Sequence, residues 1–263
     1  MINFQKYVKA ESLEEAYTLN QVKNNKIIGG MLWARLGSNN YNTVIDLSGL
    51  GLDKIEEDDD QFRIGAMVTL RMLETNDSLN NYTDNAICDA VKDIIGVQFR
   101  NLATVGGSIW GRFGFSDVLT VFLALDCYVE LYKGGIIPLS DFANMKYDND
   151  ILISIIVKKK PCKCVYDSVR IQRTDFPVLT CAASVIDGEY KIVIGARPDK
   201  ARLYGDENGI LSNGINDDTA NAFADNLASQ VPTSSNNRGS AEYRKKLVQV
   251  LTKRNLIKLG GLM

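Results

Sequence analysis

Two short stretches carry the residues best placed to do chemistry through the main chain, IIGGMLW at residues 27–33 and TVGGSIW at residues 104–110. Each sets a glycine pair after an apolar run and before further apolar residues. Glycine lacks a Cβ, so it admits positive φ and lets the backbone come close to a ligand. Successive N–H groups can then point at one anion, such as a pyrophosphate. Glycine pairs also make ordinary tight turns, and spacing alone does not separate the two readings. The stretch TVGGSIWGRFGFSDVL (104–119) is too rich in glycine to predict a helix and too irregular to predict a strand, until Ser116 and Asp117 open an apolar run. Trp110, Phe113 and Phe115 either stack on a planar ligand or fill the space that glycines leave. Arg112 is either a cation beside a diphosphate or nicotinamide nucleotide, or a solvated loop residue.

The missing residue types narrow the chemistry further. There is no histidine in the 263 residues, which removes Ser–His and Cys–His nucleophilic catalysis, the usual zinc sites and the commonest base near neutral pH. If the chain is an enzyme, a bound cofactor does the chemistry and no catalytic side chain is expected. Five cysteines (Cys88, Cys127, Cys162, Cys164, Cys181), an odd number set mostly in apolar runs, predict reduced and buried thiols. Cys162 and Cys164 are the only close pair, and with no second pair to complete a ligand set, no metal site is expected. A net charge of −2 and a pI near 5.4 give no global pull toward nucleic acid or an anionic membrane. The opening residues lack a signal-peptide layout and no apolar run is long enough to span a bilayer, so a cytoplasmic protein is expected.

The elements that must position the glycine loops follow from periodicity. FQKYV reads as a strand, Ser12 and Glu15 as a capping box, and KII (26–28) as a strand running into Gly29–Gly30. TVIDL (43–47) and QFRIGAM (61–67) are further strands, with Glu56 to Asp60 read as a solvated acidic turn. Thr69 is placed to cap a short helix, and YTDNAICDAVKDI has helical spacing. SDVLTVFLALD predicts a buried helix with a Ser–Asp cap; then come CYVELY, a Gly134–Gly135 turn, and the strand ILISIIV. KKKPCK (158–163) marks a boundary. Beyond it, VLTCAASVIDGEYKIVIGA predicts a hairpin turning at Asp187–Gly188, and two helices end the chain. The layout is α/β to about residue 160 and α+β thereafter. No Gly-x-Gly-x-x-Gly follows the first strand and there is no Walker loop, so a Rossmann fold is disfavoured.

Five segments in order, IIGGMLWARLG…VIDLSGL, FRIGAMVTL, FRNLATVGGSIW…SDVL, RTDFPVLTCAASV and RGSAEYRKKL, resemble the FAD-binding medium subunit of molybdenum hydroxylases, the xanthine and carbon monoxide dehydrogenase group. RNLATVGG is the most specific of them, and the clostridial-type xanthine or purine dehydrogenase branch is the most similar. The resemblance implies an α+β chain. Two N-terminal α/β subdomains (about 1–55 and 56–160) form an FAD-binding domain of the vanillyl-alcohol-oxidase/PCMH type, and residues 161–263 form a C-terminal domain of the CO dehydrogenase flavoprotein type. It implies that Ile27, Ile28, Gly29, Gly30, Met31, Leu32 and Trp33 form the first FAD loop, and Thr104, Gly106, Gly107 and Ser108, with Gly111, the second. By the same resemblance Asp117 hydrogen-bonds the hydroxyl-bearing chain of the cofactor, a role set against simple helix capping, and the main chain of Pro177 and Val178 lies beside the isoalloxazine ring.

Two departures are visible. The first loop in the family reads Gly-Gly-Thr-Asp/Glu-Leu where this chain has Met31 and Leu32, and the second ends in Asn where this chain has Ser108. Both remove or shorten side-chain hydrogen bonds from a site built mainly of backbone N–H groups. Arg100 and Asn101 are expected to fix the second loop's shape. Arg170, Arg173 and Asp175 form either a structural ion pair or part of an NAD site, and the charged face EYRKKL…KR is read as solvated or as a subunit contact.

The resemblance further implies an electron-transfer subunit. A large molybdopterin-binding subunit oxidises a purine or related heterocycle, a small 2Fe-2S subunit passes electrons on, and FAD in this chain delivers them to NAD or another acceptor, in a dimer of heterotrimers. A free-standing flavin reductase or oxidase, and a scaffold subunit that has lost FAD, are the alternatives.

Overall fold

The computed structural model describes residues 2–261. From the N-terminus run strand β1 (Asn3–Lys9), helix α1 (Leu13–Asn20), strand β2 (Lys26–Ile28) and strand β3 (Asn40–Asp46). Ser12 Oγ accepts from the Glu15 N–H at 3.1 Å, as the spacing predicts, but the Glu15 carboxylate accepts from the Glu11 N–H at 2.8 Å, so the reciprocal half of the capping box is displaced by one residue. β4 (Ile55–Glu57) and β5 (Gln61–Gly65) make a hairpin, so the start of the acidic segment expected as a loop is strand.

Six short helices follow: α2 (Leu70–Glu74), α3 (Asp77–Tyr82), α4 (Ala86–Val91), α5 (Val97–Arg100), α6 (Val105–Gly111) and α7 (Asp117–Leu123). Thr69 Oγ1 accepts from the Met72 N–H and Ser116 Oγ from the Leu119 N–H, the caps expected for α2 and α7. α6 corrects the expectation that glycines 106, 107 and 111 exclude a helix. Next come β6 (Cys127–Leu131), β7 (Gly135–Pro138), α8 (Leu139–Asn144), β8 (Leu152–Lys158), β9 (Cys162–Arg170), β10 (Pro177–Ile186), β11 (Glu189–Gly195), β12 (Arg202–Gly205), α9 (Asp217–Gln230) and α10 (Ala241–Leu259).

The chain forms two compact units, neither continuous in sequence. The first comprises residues up to Met72, Val97–Gly111 and Cys127–Lys158; the second comprises Leu73–Gly96, Arg112–Asp126 and the chain from Lys159 onward.

In the first unit, β3 is the centre of a parallel sheet of order β1-β3-β2, and β8 is the centre of an antiparallel sheet of order β4-β5-β8-β6-β7. Ala10, Ala16, Ile45, Leu47 and Ile151 form a small apolar core. Asp46 ends β3 by accepting from the Ser48 N–H and hydroxyl and from the Tyr7 hydroxyl, which closes the turn in VIDLSGL.

In the second unit, the antiparallel sheet has order β12-β11-β10-β9, and β10 is buried along almost its whole length because α7 meets it as well as α10. A strand covered in this way reads as a continuous apolar run, which VLTCAASV is. The hairpin turns at Asp187 (φ 52°) and Gly188 (φ 84°), as expected for Asp-Gly. Phe223, Leu227, Val248 and Leu251 of α9 and α10 pack on Val178, Cys181 and Ile192.

All five cysteines are free thiols, and burial pushes Cys162 up to about 11 and Cys181 up to about 12. Arg244, expected on a solvated face, is 1% exposed. Its guanidinium donates to the carbonyls of Val178 (2.9 Å), Ser234 (2.7 Å) and Gly239 (2.5 Å) and to Asn236 Oδ1 (2.6 Å). No helix of the described residues is long and apolar enough to cross a membrane.

One ion pair gives the fold a pH signature. Burial raises the Glu130 carboxyl, but hydrogen bonds from Arg63 and Ser154 more than reverse this and hold it below its ordinary value. A carboxyl depressed on folding stabilises above its unfolded pKa and loses that contribution as pH falls through the folded one. Glu130→Gln should therefore lower the melting temperature at neutral pH, with the gap to wild type closing below the usual carboxylate range. A gap that stays constant down the acid limb of a melting-temperature series would contradict this assignment.

Candidate cofactor-binding site

The two glycine loops meet inside the first unit. A Cβ on Gly29 would lie 2.5 Å from Thr104 Oγ1, one on Gly30 would overlap the Leu102 carbonyl oxygen, and one on Gly106 would lie 2.5 Å from the Ala66 carbonyl oxygen. None of these three has positive φ; the positive values fall on Met31 (57°) and Arg112 (42°). This corrects part of the expectation. The bareness of Gly29, Gly30 and Gly106 admits neighbouring protein, and the left-handed residue of the first loop is Met31, a conformation that L side chains adopt at an energetic cost.

That packing leaves donors free. Ile27 and Ile28 sit in β2, paired with Ile45 and Asp46. Immediately beyond, the N–H groups of Gly29, Gly30, Met31 and Leu32 donate to no protein acceptor among the described residues. Gly29, Gly30 and Met31 are half-buried, the Leu32 side chain is turned inward at 8% exposure, and Trp33 is exposed. Main-chain N–H groups are obligatory donors, and four in succession without a protein partner form a backbone set suited to an anion. This donor set fits a diphosphate, and it does so without any charged side chain.

The second loop opens α6. Thr104 is buried, and its Oγ1 accepts from the Gly107 N–H at 3.1 Å. This cap is what allows a glycine-rich segment to start as helix. Gly107 itself is exposed, and a Cβ there would meet only Thr104 Oγ1, at 3.1 Å. Ser108 Oγ donates back to the Thr104 carbonyl at 3.2 Å, so its hydroxyl is engaged within the helix. The Gly111 carbonyl accepts from the Tyr147 hydroxyl at 2.7 Å. Trp110 packs on Phe142 with centroids 5.7 Å apart, the space-filling alternative.

The remaining expected site residues belong to the second unit. Asp117 is 5% exposed, in the first turn of α7, where Ser116 already provides the cap. Its Oδ1 accepts from Arg170 Nη2 at 2.5 Å and from the Tyr166 hydroxyl. Burial pushes the Asp117 carboxyl up, against the pull of Arg170 and Tyr166. For Arg170, burial acts downward and Asp117 more than offsets it, leaving the guanidinium above its ordinary value. Pro177 and Val178 begin β10, both buried, with the Val178 carbonyl held by Arg244.

Phe113 and Phe115 stack at 5.2 Å, Phe115 meets Phe176 edge-on at 4.6 Å, and the Arg238 guanidinium lies 5.0 Å from the Phe176 ring centre. Arg112 is 2% exposed, which removes the solvated-loop alternative. Arg173 pairs with Asp93 at 2.7 Å, and Arg170 reaches only the main-chain oxygen of Asp175. The structure thus brings residues 27–33 and 104–108 together in one unit, and Asp117 with the segment leading into Pro177–Val178 in the other. Sequence reasoning passed over Tyr166 and the buried role of Arg244. The only sequence signal for the former was weak, Cys164 and Tyr166 two residues apart in CKCVYDSVR, which β9 buries on one face.

Comparison with known proteins identifies the family and the fold. Residues 2–159 match the model of the FAD binding domain in molybdopterin dehydrogenase, and residues 165–259 that of the CO dehydrogenase flavoprotein C-terminal domain. The chain is 27% identical to the glyceraldehyde dehydrogenase medium chain of Sulfolobus acidocaldarius, covering 94% of this chain and 95% of that one. It is 26% identical to the xanthine dehydrogenase FAD-binding subunit of Escherichia coli O157:H7, over 97% and 95% of the two chains. Among solved structures, carbon monoxide dehydrogenase from Hydrogenophaga pseudoflava superimposes with a TM-score of 0.84 at 19% identity, over 98% of this chain and 97% of that one. Quinoline 2-oxidoreductase from Pseudomonas putida does so with 0.82 at 17% identity, over 99% and 97%.

The loop geometry separates two glycines of similar sequence context. Gly30→Ala sets a methyl against the Leu102 backbone and should lose about 2 kcal/mol or more in urea denaturation. Gly107→Ala gains helix propensity of about 1 kcal/mol and needs only a small shift of Thr104, so it should stay within about 1 kcal/mol of wild type. Equal destabilisation by the two would refute the packing described here.

Proposed function

The chain belongs to the FAD-binding medium-subunit family of the molybdenum hydroxylases, and on that premise we propose that it is the flavin-carrying electron relay of a xanthine- or purine-oxidising complex that reduces NAD. The observation that carries the binding mode is the run of four N–H groups, Gly29 to Leu32, without protein acceptors. In this reading these groups hold the diphosphate of FAD, and Thr104, Gly106, Gly107 and Ser108 back them from the start of α6, where the N–H groups of Gly106, Gly107 and Ser108 are taken by protein acceptors. Asp117 accepts from a hydroxyl of the polyol chain, and the main chain of Pro177 and Val178 lies along the ring system. Residues 1–160 then serve as the FAD-binding domain and 161–263 as its C-terminal partner.

The chemistry that FAD supplies is the conversion of single-electron transfer into hydride transfer. The protein's part is position and electrostatics: backbone dipoles at the diphosphate, an anchored carboxylate at the polyol, and an Arg244-fixed strand at the ring. None of this needs a histidine. The partners in this reading are a large molybdopterin-binding subunit and a small 2Fe-2S subunit, assembled as a dimer of heterotrimers in the cytoplasm.

One set of observations favours a second reading, a scaffold subunit without flavin. Met31 and Leu32 stand where the family carries a hydroxyl and a carboxylate, Leu32 is buried, and the Ser108 hydroxyl is engaged within its own helix. The backbone donors favour the flavin reading, because they do not depend on those side chains. The assembled complex purified from its native host should be yellow, absorb near 450 nm, contain about one FAD per copy of this chain, and be bleached by a purine and restored by NAD. A complex with both partners present but no flavin would establish the scaffold reading instead.

A further inference from the structure

Arg244 is a buried cation without a counter-ion. Its guanidinium reaches, among the described residues, only neutral acceptors, the carbonyls of Val178, Ser234 and Gly239 and the side chain of Asn236. The Asp175 carboxylate faces Arg238 instead, at 4.0 Å. Burial pushes the Arg244 guanidinium down, and the charge of Arg238 pushes it further the same way. Arg244 also stands in the first turn of α10, the positive end of a 19-residue helix, where a cation is disfavoured. A buried charge left uncompensated in this way is a poor stabilising device.

What this positive charge adjoins is a β-bulge. β10 pairs Pro177 with Arg170 and Leu179 with Val169, so Val178 is an extra residue in the ladder, and Arg244 Nε donates to its carbonyl at 2.9 Å. In the flavin reading above, on which this inference rests, the main chain of Pro177 and Val178 lies along the isoalloxazine ring. Reduction of FAD takes two electrons, supplied in that reading by iron–sulfur centres of a partner subunit, and one proton from solvent. One negative charge is thereby added to the ring. A positive charge one peptide group away favours it, because attraction is weakly screened where water is excluded. We propose that Arg244 is a positioning residue that raises the reduction potential of the flavin, its uncompensated charge acting on the ring through the Val178 peptide. A neutral donor could hold the same carbonyl; a cation also sets the potential.

The test keeps the clamp and removes only the net charge. Asn236 Oδ1 accepts from Arg244 Nη2 at 2.6 Å and from the Arg238 N–H at 2.9 Å, so Asn236→Asp retains both bonds and adds a carboxylate beside the guanidinium. Flavin-loaded and flavin-depleted forms of the assembled complex are titrated in parallel with dithionite, and their difference in visible absorbance isolates the flavin. Asn236→Asp should move the reduced-to-oxidised ratio at fixed potential about tenfold toward oxidised, roughly 30 mV lower for a two-electron couple, with melting unchanged or raised. Arg244→Lys, which keeps the charge but not the fork, should lower the melting temperature and leave the potential close to wild type. Lys245→Gln, the same change in net charge on an exposed neighbour, should shift nothing. An unchanged potential in Asn236→Asp, or an equal drop in Arg244→Lys, would overturn the proposal and leave Arg244 a structural clamp. Should Arg244→Lys fail to assemble, Asn236→Asp alone decides. A wild-type complex that binds no FAD at all would instead defeat the flavin reading itself.

Discussion

The close approach of Gly29 and Gly30 to residues 102–104 is the constraint on which the first unit's site depends. Two backbones come within a distance that excludes a methyl group, and the Thr104 side chain both fills the gap beside Gly29 and caps α6. Because the first loop is fixed from behind by packing, its N–H groups need not turn inward to be satisfied by protein. They remain a donor set, with Met31 in the left-handed region as the conformational price. The cradle is thus made by sterics on one side and by hydrogen-bonding capacity on the other.

The second unit works by a different interaction. There a carboxylate is buried and held by a guanidinium and a phenol, and the strand that follows is anchored at its first residues by Arg244. Burying ionised groups is unfavourable unless the geometry is good and the remaining polar atoms find partners. Asp117 and Arg170 meet the first condition through one oxygen and one nitrogen, while the Arg170 Nε stays buried without a protein partner.

Much of this was legible in the sequence. β1, β3, β8 and the β10–β11 hairpin follow from apolar patterning and an Asp-Gly turn, and Ser116 was readable as a cap. Glycine content misled at α6, since propensity is a weak guide where a capped first turn and packing under Gly106 decide the outcome. β9 was missed because CKCVYDSVR alternates only weakly, with polar residues on its less buried face. Arg244 was placed on a solvated or subunit-contact face because charge predicts exposure unless carbonyls from distant segments converge on the guanidinium, as they do here, and sequence does not show convergence. The reason for the glycines was half right: they permit close approach, first of all by another segment of the same protein.

The most direct test is amide hydrogen exchange across residues 27–33 in the assembled complex, with and without FAD. If the main-chain N–H groups of Gly29 to Leu32 receive the diphosphate, exchange in this segment slows markedly on flavin binding, while the β2 amides just before it change little. Exchange at residues 29–32 that is identical in flavin-bound and flavin-free complexes would contradict the account.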